Sequence, residues 1–263
     1  MRRDSVAGTI LVAAVLCVVC SVIVSGTAVG LKSIQQANAE LDKQRNVLAA
    51  AGLLEKGDST EQITAKFEKI EKQIINLETG EVASDEELKE AGVSDPATYN
   101  PAEARDNPKL NREVDGLTGI PRTEKFADVY LVKSEDGALT GVVLPIYGKG
   151  LWSTMYGFLA LESDLDTAKG ITFYQHGETP GLGGEVDNQV WKDKWPGKEV
   201  RNDEGKVLIE VVKGIGMGES QVDGLSGATI TTKGVNNFVR FWLGEQGFGP
   251  YLESLKTKEK SNG

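Results

Sequence analysis

The chain has 263 residues and a formal net charge of -10, with only one histidine, His176, and two cysteines, Cys17 and Cys20. So acidic a surface argues against nucleic-acid binding, which needs a basic face. With so few cysteine and histidine side chains, this chain alone cannot build a zinc or iron–sulfur site of the usual kind, and no metal ligands are assigned.

From Val6 to Leu31 there is no charged side chain. As a helix these 26 residues would reach about 39 Å at 1.5 Å per residue, against a hydrocarbon core of about 30 Å. A cleaved signal peptide has a much shorter apolar region. Large residues, Leu16 and Val19, precede the two cysteines, which argues against a lipoprotein site. A retained single span is therefore expected, with residues 1–33 as the anchor. Between Val6 and Leu31 it holds no Asp, Glu, Lys, Arg or His and cannot by itself carry an ion or proton relay. Gly26 and Gly30 have the spacing that lets helices approach closely, either as a packing face or simply as part of an anchor. Cys17 and Cys20 are expected to pack as small hydrophobes. Arg2 and Arg3 before the span favour a cytoplasmic start and an outside domain, although Lys32, Lys43 and Arg45 follow it.

Residues 32–54, rich in Ala, Leu, Gln, Lys and Glu, predict a helix continuing out of the membrane. A second helix is predicted over 59–77. Ser59 and Gln62 have capping-box spacing, Ile63, Phe67, Ile70, Ile74 and Leu77 mark one face, and Gly80 is a stop. Residues 79–122 are acidic and hold four prolines, Pro96, Pro101, Pro108 and Pro121, as a linker or as an irregular layer on the core. Segment 34–125 is accordingly a helical and loop-rich region.

From Phe126 the pattern turns to strands, and residues 126–263 form the last unit. Two strands join at Asp136-Gly137, a favoured hairpin turn. TMYGFLALES, KGITFYQHG and KVLIEVVKG supply further strands, and EVDNQVWKDKW (185–195) a short helix bearing Trp191 and Trp195 on its packed side. A final helix begins near Thr231, with Val235, Phe238, Val239 and Trp242 on one face and Gly244 at its end. The fold class is α+β: one N-terminal transmembrane helix, then a soluble domain with a mixed or antiparallel sheet and packed helices.

The stretch DGLSGATITTKG (223–234) sets Ser226, Thr229, Thr231 and Thr232 around Gly227 and Ala228, just before that helix. Hydroxyls there are usually caps. A helix start also presents unpaired N–H groups and a partial positive charge, which suits a phosphate. No Gly-Lys-[Ser/Thr] follows, so this is not a Walker loop. The stretch Asp223–Thr231 resembles the Asp-Gly-x-[Ser/Thr]-Gly-Ala-[Ser/Thr]-x-[Ser/Thr] signature of proteins that carry FMN covalently. The anchor, the 41–54 segment and HGETPGLGG (176–184) together resemble the C-subunit family of sodium-translocating NADH:quinone oxidoreductases.

That resemblance implies an FMN held by a phosphoester bond to Thr231, attached by a separate flavin transferase using FAD. Ser226, Gly227, Ala228 and Thr229 would surround the phosphate, and Trp152, Glu178, Thr179 and Leu182 would lie at the flavin ring. For Trp152 the residues alone leave core and pocket open, and for His176 a local hydrogen bond is the simpler reading than catalysis. The resemblance further implies an electron-relaying flavoprotein in a bacterial inner membrane, its soluble domain periplasmic. Its partners would be membrane lipid and the other membrane, flavin and iron–sulfur subunits of a complex that oxidises NADH, reduces ubiquinone and exports sodium. No G-x-G-x-x-G follows a strand, so the chain alone should not oxidise NADH. The alternatives are a flavoprotein like the G component of the Rnf complex and a cofactor-free, membrane-tethered binding or assembly module.

Overall fold

The computed structural model describes residues 5–262; Arg2 and Arg3, which bear on orientation, lie outside them. Two compact units are present, Met1–Lys43 and Gln44–Gly263. Helix α1 runs unbroken over Val6–Ala50, and Gly52 follows it with a left-handed φ of 71°. Among the described residues α1 is the one helix long and apolar enough to cross a membrane. Its apolar side chains, among them Ile10, Val15, Leu16 and Ile23, are exposed, as lipid-facing residues must be. Cys17 and Cys20 are free thiols on that same exposed surface.

In the second unit, α2 (Thr60–Phe67) starts at the Ser59–Gln62 capping box with both reciprocal hydrogen bonds formed. It ends there, not at Leu77. Strand β1 (Ile70–Asn76) follows and pairs antiparallel with β5 (Phe126–Lys133), Ile75 opposite Ala127. The 3–4 spacing of isoleucines fits a helix face, but Ile70, Ile74 and Ile75 are β-branched, and the edge of β5 offers a full row of backbone partners. Gly80 is the turn to β2 (Glu81–Val82) and not a helix stop. Its φ is 72°, and a Cβ there would meet Pro250 at 2.5 Å.

Residues 85–124 form an irregular layer with α3 (Asp85–Glu90), α4 (Pro101–Ala104) and the hairpin of β3 (Asn111–Glu113) with β4 (Arg122–Glu124). Leu88, Val93, Tyr99, Ala104 and Leu110 bury a small core against Phe126, and the Tyr99 hydroxyl donates to the Phe126 carbonyl at 2.8 Å. Of the two readings of this region, the packed layer is the one realised.

Then come β6 (Leu139–Lys149), β7 (Thr154–Glu162) and β8 (Ala168–Gln175). The six-stranded sheet has the order β2-β1-β5-β6-β7-β8 and is antiparallel throughout. The β5–β6 turn contains Gly137 at φ 85°, as its sequence predicts. A 3-10 turn (Gly183–Asp187) leads into α5 (Gln189–Lys192). The KVLIEVVKG segment keeps only β9 (Glu210–Val212), parallel to β10 (Gln221–Asp223).

Helix α6 (Thr229–Leu243) buries Val235, Phe238, Val239 and Trp242 completely on the sheet. It lies unusually close to β6. A Cβ at Gly148 would meet Phe238 at 2.3 Å, and one at Gly234 the Lys149 carbonyl at 2.3 Å. The Trp242 indole N–H donates to the Tyr147 carbonyl at 2.7 Å. These contacts fix the start of α6 beside the end of β6. Beyond Gly244 a last helix, α7 (Gly249–Asn262), completes the fold.

Candidate functional site

The hydroxyl stretch forms the approach to α6. Asp223 anchors it: one carboxylate oxygen accepts the Gly216 N–H at 2.9 Å, the other pairs with Lys194, and its carbonyl accepts the Trp191 indole N–H at 2.8 Å. Gly224 cannot be larger, because its Cβ would fall 2.3 Å from the Val212 carbonyl. Gly227 turns the chain at φ 73°. The N-cap position is Ala228, with no side-chain cap, whereas α2, α3, α4 and α5 are capped by Ser59, Ser84, Asn100 and Asn188. The first turn of α6 therefore keeps N–H groups that no cap side chain satisfies.

The four hydroxyl residues separate into two kinds. Ser226 and Thr229 are exposed, and Thr231 and Thr232 are buried. The Thr232 hydroxyl accepts the Leu225 N–H at 3.0 Å, closing the loop on the helix. The Thr231 hydroxyl donates to Glu178 Oε2 at 2.6 Å.

Glu178 arrives on the loop after β8 and is itself 5% exposed. Its carboxylate accepts the N–H groups of Trp152 at 2.9 Å, Leu151 at 3.2 Å and Ser153 at 3.4 Å. Burial pushes this carboxyl up, but the hydrogen bonds from Thr231 and from those N–H groups outweigh it and hold it below the usual glutamate range. Two glycines wall it in. A Cβ at Gly150 would lie 2.6 Å from Oε1, and one at Gly183 would lie 2.7 Å from Oε2 and 2.6 Å from Thr231 Oγ1.

His176 is the tie predicted for it. Its Nδ1 accepts the Glu178 N–H at 3.2 Å and its Nε2–H donates to Asp187 at 2.8 Å. The Ser153 hydroxyl accepts the Gly177 N–H at 2.7 Å, joining the two loops.

The segments that adjoin Thr231 carry exposed apolar side chains. Trp152 is 70% exposed, Ile230 58%, Leu151 47% and Leu182 44%. Trp152 is thus not a core residue. Leu182 leans over Gly227, where an added Cβ would come within 2.9 Å of it. Thr179 is exposed on the same loop, its carbonyl accepting the N–H groups of Leu182 and Gly184. The fold thus brings Trp152, Glu178, Leu182, Gly227 and Thr231 together, and leaves Ser226 and Thr229 on the open side of the helix start. A flat apolar group ending in an anion suits this arrangement: exposed apolar side chains beside an uncapped helix start. The sequence alone does not reveal Gly150, Gly183 and Ser153, which cradle Glu178. Their only signal is high local glycine content.

Residues 150–244, which contain Trp152, Glu178, Leu182 and Thr231, match the FMN-binding domain family. Over its full length the chain is 46% identical to the C subunit of the Na(+)-translocating NADH-quinone reductase of Yersinia pestis, covering 97% of that protein. It is 44% identical to the corresponding C subunit of Pseudomonas aeruginosa, covering 98% of this chain and 99% of the relative. The chain belongs to this C-subunit family. The crystal structure of Shewanella oneidensis NqrC superposes with a TM-score of 0.73 at 35% identity, covering 83% of this chain and 99% of that one. The C subunit from Parabacteroides distasonis does so with a TM-score of 0.62 at 26% identity, covering 86% and 96%. As a member of this family, the chain is one component of a multi-subunit oxidoreductase and carries a flavin-binding domain behind an N-terminal apolar helix. The full-length match decides against the Rnf-type alternative, and the FMN-binding family match speaks against a cofactor-free module.

Proposed function

We propose that this protein holds FMN through a phosphoester to Thr231 Oγ1 and relays electrons between neighbouring cofactors of its complex. The seat of Thr231 is the observation that carries the reading. It lies in the first turn of a helix with no side-chain cap, buried against Glu178, with the exposed Leu151, Trp152, Leu182 and Ile230 on the adjoining segments. A phosphodiester keeps one negative charge, and a helix start favours such a charge by about 0.3–1 kcal/mol, up to about 2 when partly buried. Gly227 and Ala228 let it approach the backbone, with Ser226 and Thr229 at its edge. Trp152, Leu182 and Thr179 would face the ring, and Glu178 would stand beside the ester. When bound, the flavin supplies the electron-accepting chemistry; the chain orients it and shapes its surroundings. An ester oxygen has no proton to donate, so the Thr231–Glu178 hydrogen bond belongs to the unmodified chain.

The soluble unit lies, on this reading, on the periplasmic side of the bacterial inner membrane, where a dissociated cofactor would be lost by dilution. The attachment is made by a flavin transferase, and electrons come from and go to the other components of the complex. The test is to express the chain with such a transferase, denature it, and look for an ultraviolet-fluorescent gel band and an intact mass raised by FMN minus water. A bare Thr231 peptide under those conditions overturns the reading. A C-terminal reporter active only outside the cytoplasm tests the orientation, and its activity inside would reverse it.

A further inference from the structure

Esterifying Thr231 requires its hydroxyl to lose a proton, and a threonine hydroxyl is a weak nucleophile until a neighbour accepts that proton. Within the 223–232 stretch, Thr231 is the residue whose hydroxyl donates to a carboxylate, at 2.6 Å from Glu178 Oε2. The carboxylate cannot swing away. Three N–H groups from Leu151, Trp152 and Ser153 hold it, and Gly150 and Gly183 close against its two oxygens. A loop tie could be made by a neutral side chain. A carboxylate that is 5% exposed and aimed at the reacting oxygen offers a proton acceptor as well.

We propose that Glu178 is a proton acceptor built into this chain for its own flavin attachment, and that it selects Thr231 over Ser226, Thr229 and Thr232. The proposal rests on the attachment reading above. In the step, Thr231 Oγ1 attacks the flavin-side phosphorus of an FAD donor held by the transferase. The Oγ1–P bond forms and the P–O bond of the pyrophosphate breaks. AMP leaves with that electron pair, and the hydroxyl proton passes to Glu178 Oε2 and on to solvent. Nothing is oxidised or reduced. In phosphoryl transfer the acceptor carboxylate need not be strongly basic, since positioning and charge stabilisation dominate, as with the aspartate of protein kinases. The low proton affinity of Glu178 is compatible with that role.

The test uses the full chain in detergent with purified transferase and FAD, following the initial rate of flavin incorporation by gel fluorescence and intact mass. Glu178→Gln keeps the shape and removes the acceptor; its rate should fall by about 10²-fold or more. Its rate should also climb with pH where the unaltered chain is flat, because the proton must then go to solvent. Glu178→Asp should recover about 10-fold of the loss. A folded Glu178→Gln labelled within about 3-fold of the unaltered chain, or with an unaltered pH profile, overturns the proposal. Should Glu178→Gln fail to fold, Glu178→Asp decides: its shortened carboxylate retreats from Oγ1, and an undiminished rate refutes the role. Labelling that survives Thr231→Ala would instead refute the attachment site itself.

Discussion

Gly183→Ala inserts one methyl group into the space between the two buried partners. The new Cβ would lie 2.6 Å from Thr231 Oγ1, 2.7 Å from Glu178 Oε2 and 3.0 Å from Glu178 Cβ. The neighbours must retreat by about 0.8 Å to reach ordinary contact. Glu178 cannot give at its far end, because three N–H groups pin it. The Thr231–Glu178 hydrogen bond should therefore break. A hydrogen bond to a charged group is worth about 1.5–3 kcal/mol, overpacking adds about 1–3 kcal/mol, and the stiffer unfolded chain returns about 0.4–1 kcal/mol. The expected net destabilisation is about 1.5–5.5 kcal/mol. For a unit of this size, at about 2–4 °C per kcal/mol, that lowers Tm by about 3–22 °C. Thermal unfolding followed by tryptophan fluorescence measures it, with flavin incorporation scored on the same samples and expected to fall with it. Gly177→Ala is the control: its Cβ would meet Ser153 at 3.4 Å, an ordinary contact, and should cost within about 0.5 kcal/mol. If Gly183→Ala unfolds at the same temperature as Gly177→Ala and accepts flavin normally, the packing described around Thr231 is wrong.

Thr231→Ala should give no covalent flavin band, while Thr232→Ala should keep the band and lose about 1–3 kcal/mol, because the Leu225 N–H is left without its acceptor; the gel and a denaturant melt separate the two. Trp152→Ala, at a side chain 70% exposed, should change stability by no more than about 0.5 kcal/mol yet alter the absorption and fluorescence of the attached flavin, and an unaltered spectrum would remove Trp152 from the ring's surroundings. The Glu178 carboxyl titrates below the usual glutamate value of 4.5 in the folded chain. Its stabilising contribution is thus fully present above pH 4.5 and lost as pH falls through the lower folded value. Before flavin attachment, Glu178→Gln should flatten that part of the acid limb of the stability profile, and an unchanged limb would mean that the carboxylate is not held as described.

Much of the molecule was legible locally. A charge-free run from Val6 to Leu31 can be stable only in lipid or packed against protein. The Asp136-Gly137 turn and the apolar face of α6 are read from neighbours in sequence, because turn geometry and helical period are set over a few residues. The hydroxyl stretch before α6 was legible for the same reason, and its resemblance to a known signature named the flavin. The isoleucines of 70–77 were not legible. Their spacing suits a helix as well as a strand, and the free edge of β5, far along the chain, decided between them. The partnership of Thr231 with Glu178 spans 53 residues and leaves no mark on periodicity or composition. It exists because Gly148 and Gly234 let α6 lie against β6, and because Gly150 and Gly183 leave room for a carboxylate. Sequence alone determined that a hydroxyl-rich helix start follows a membrane anchor. The tertiary structure decided which hydroxyl meets a carboxylate, since that contact depends on the packing of distant segments and not on the conformational preferences of adjacent residues.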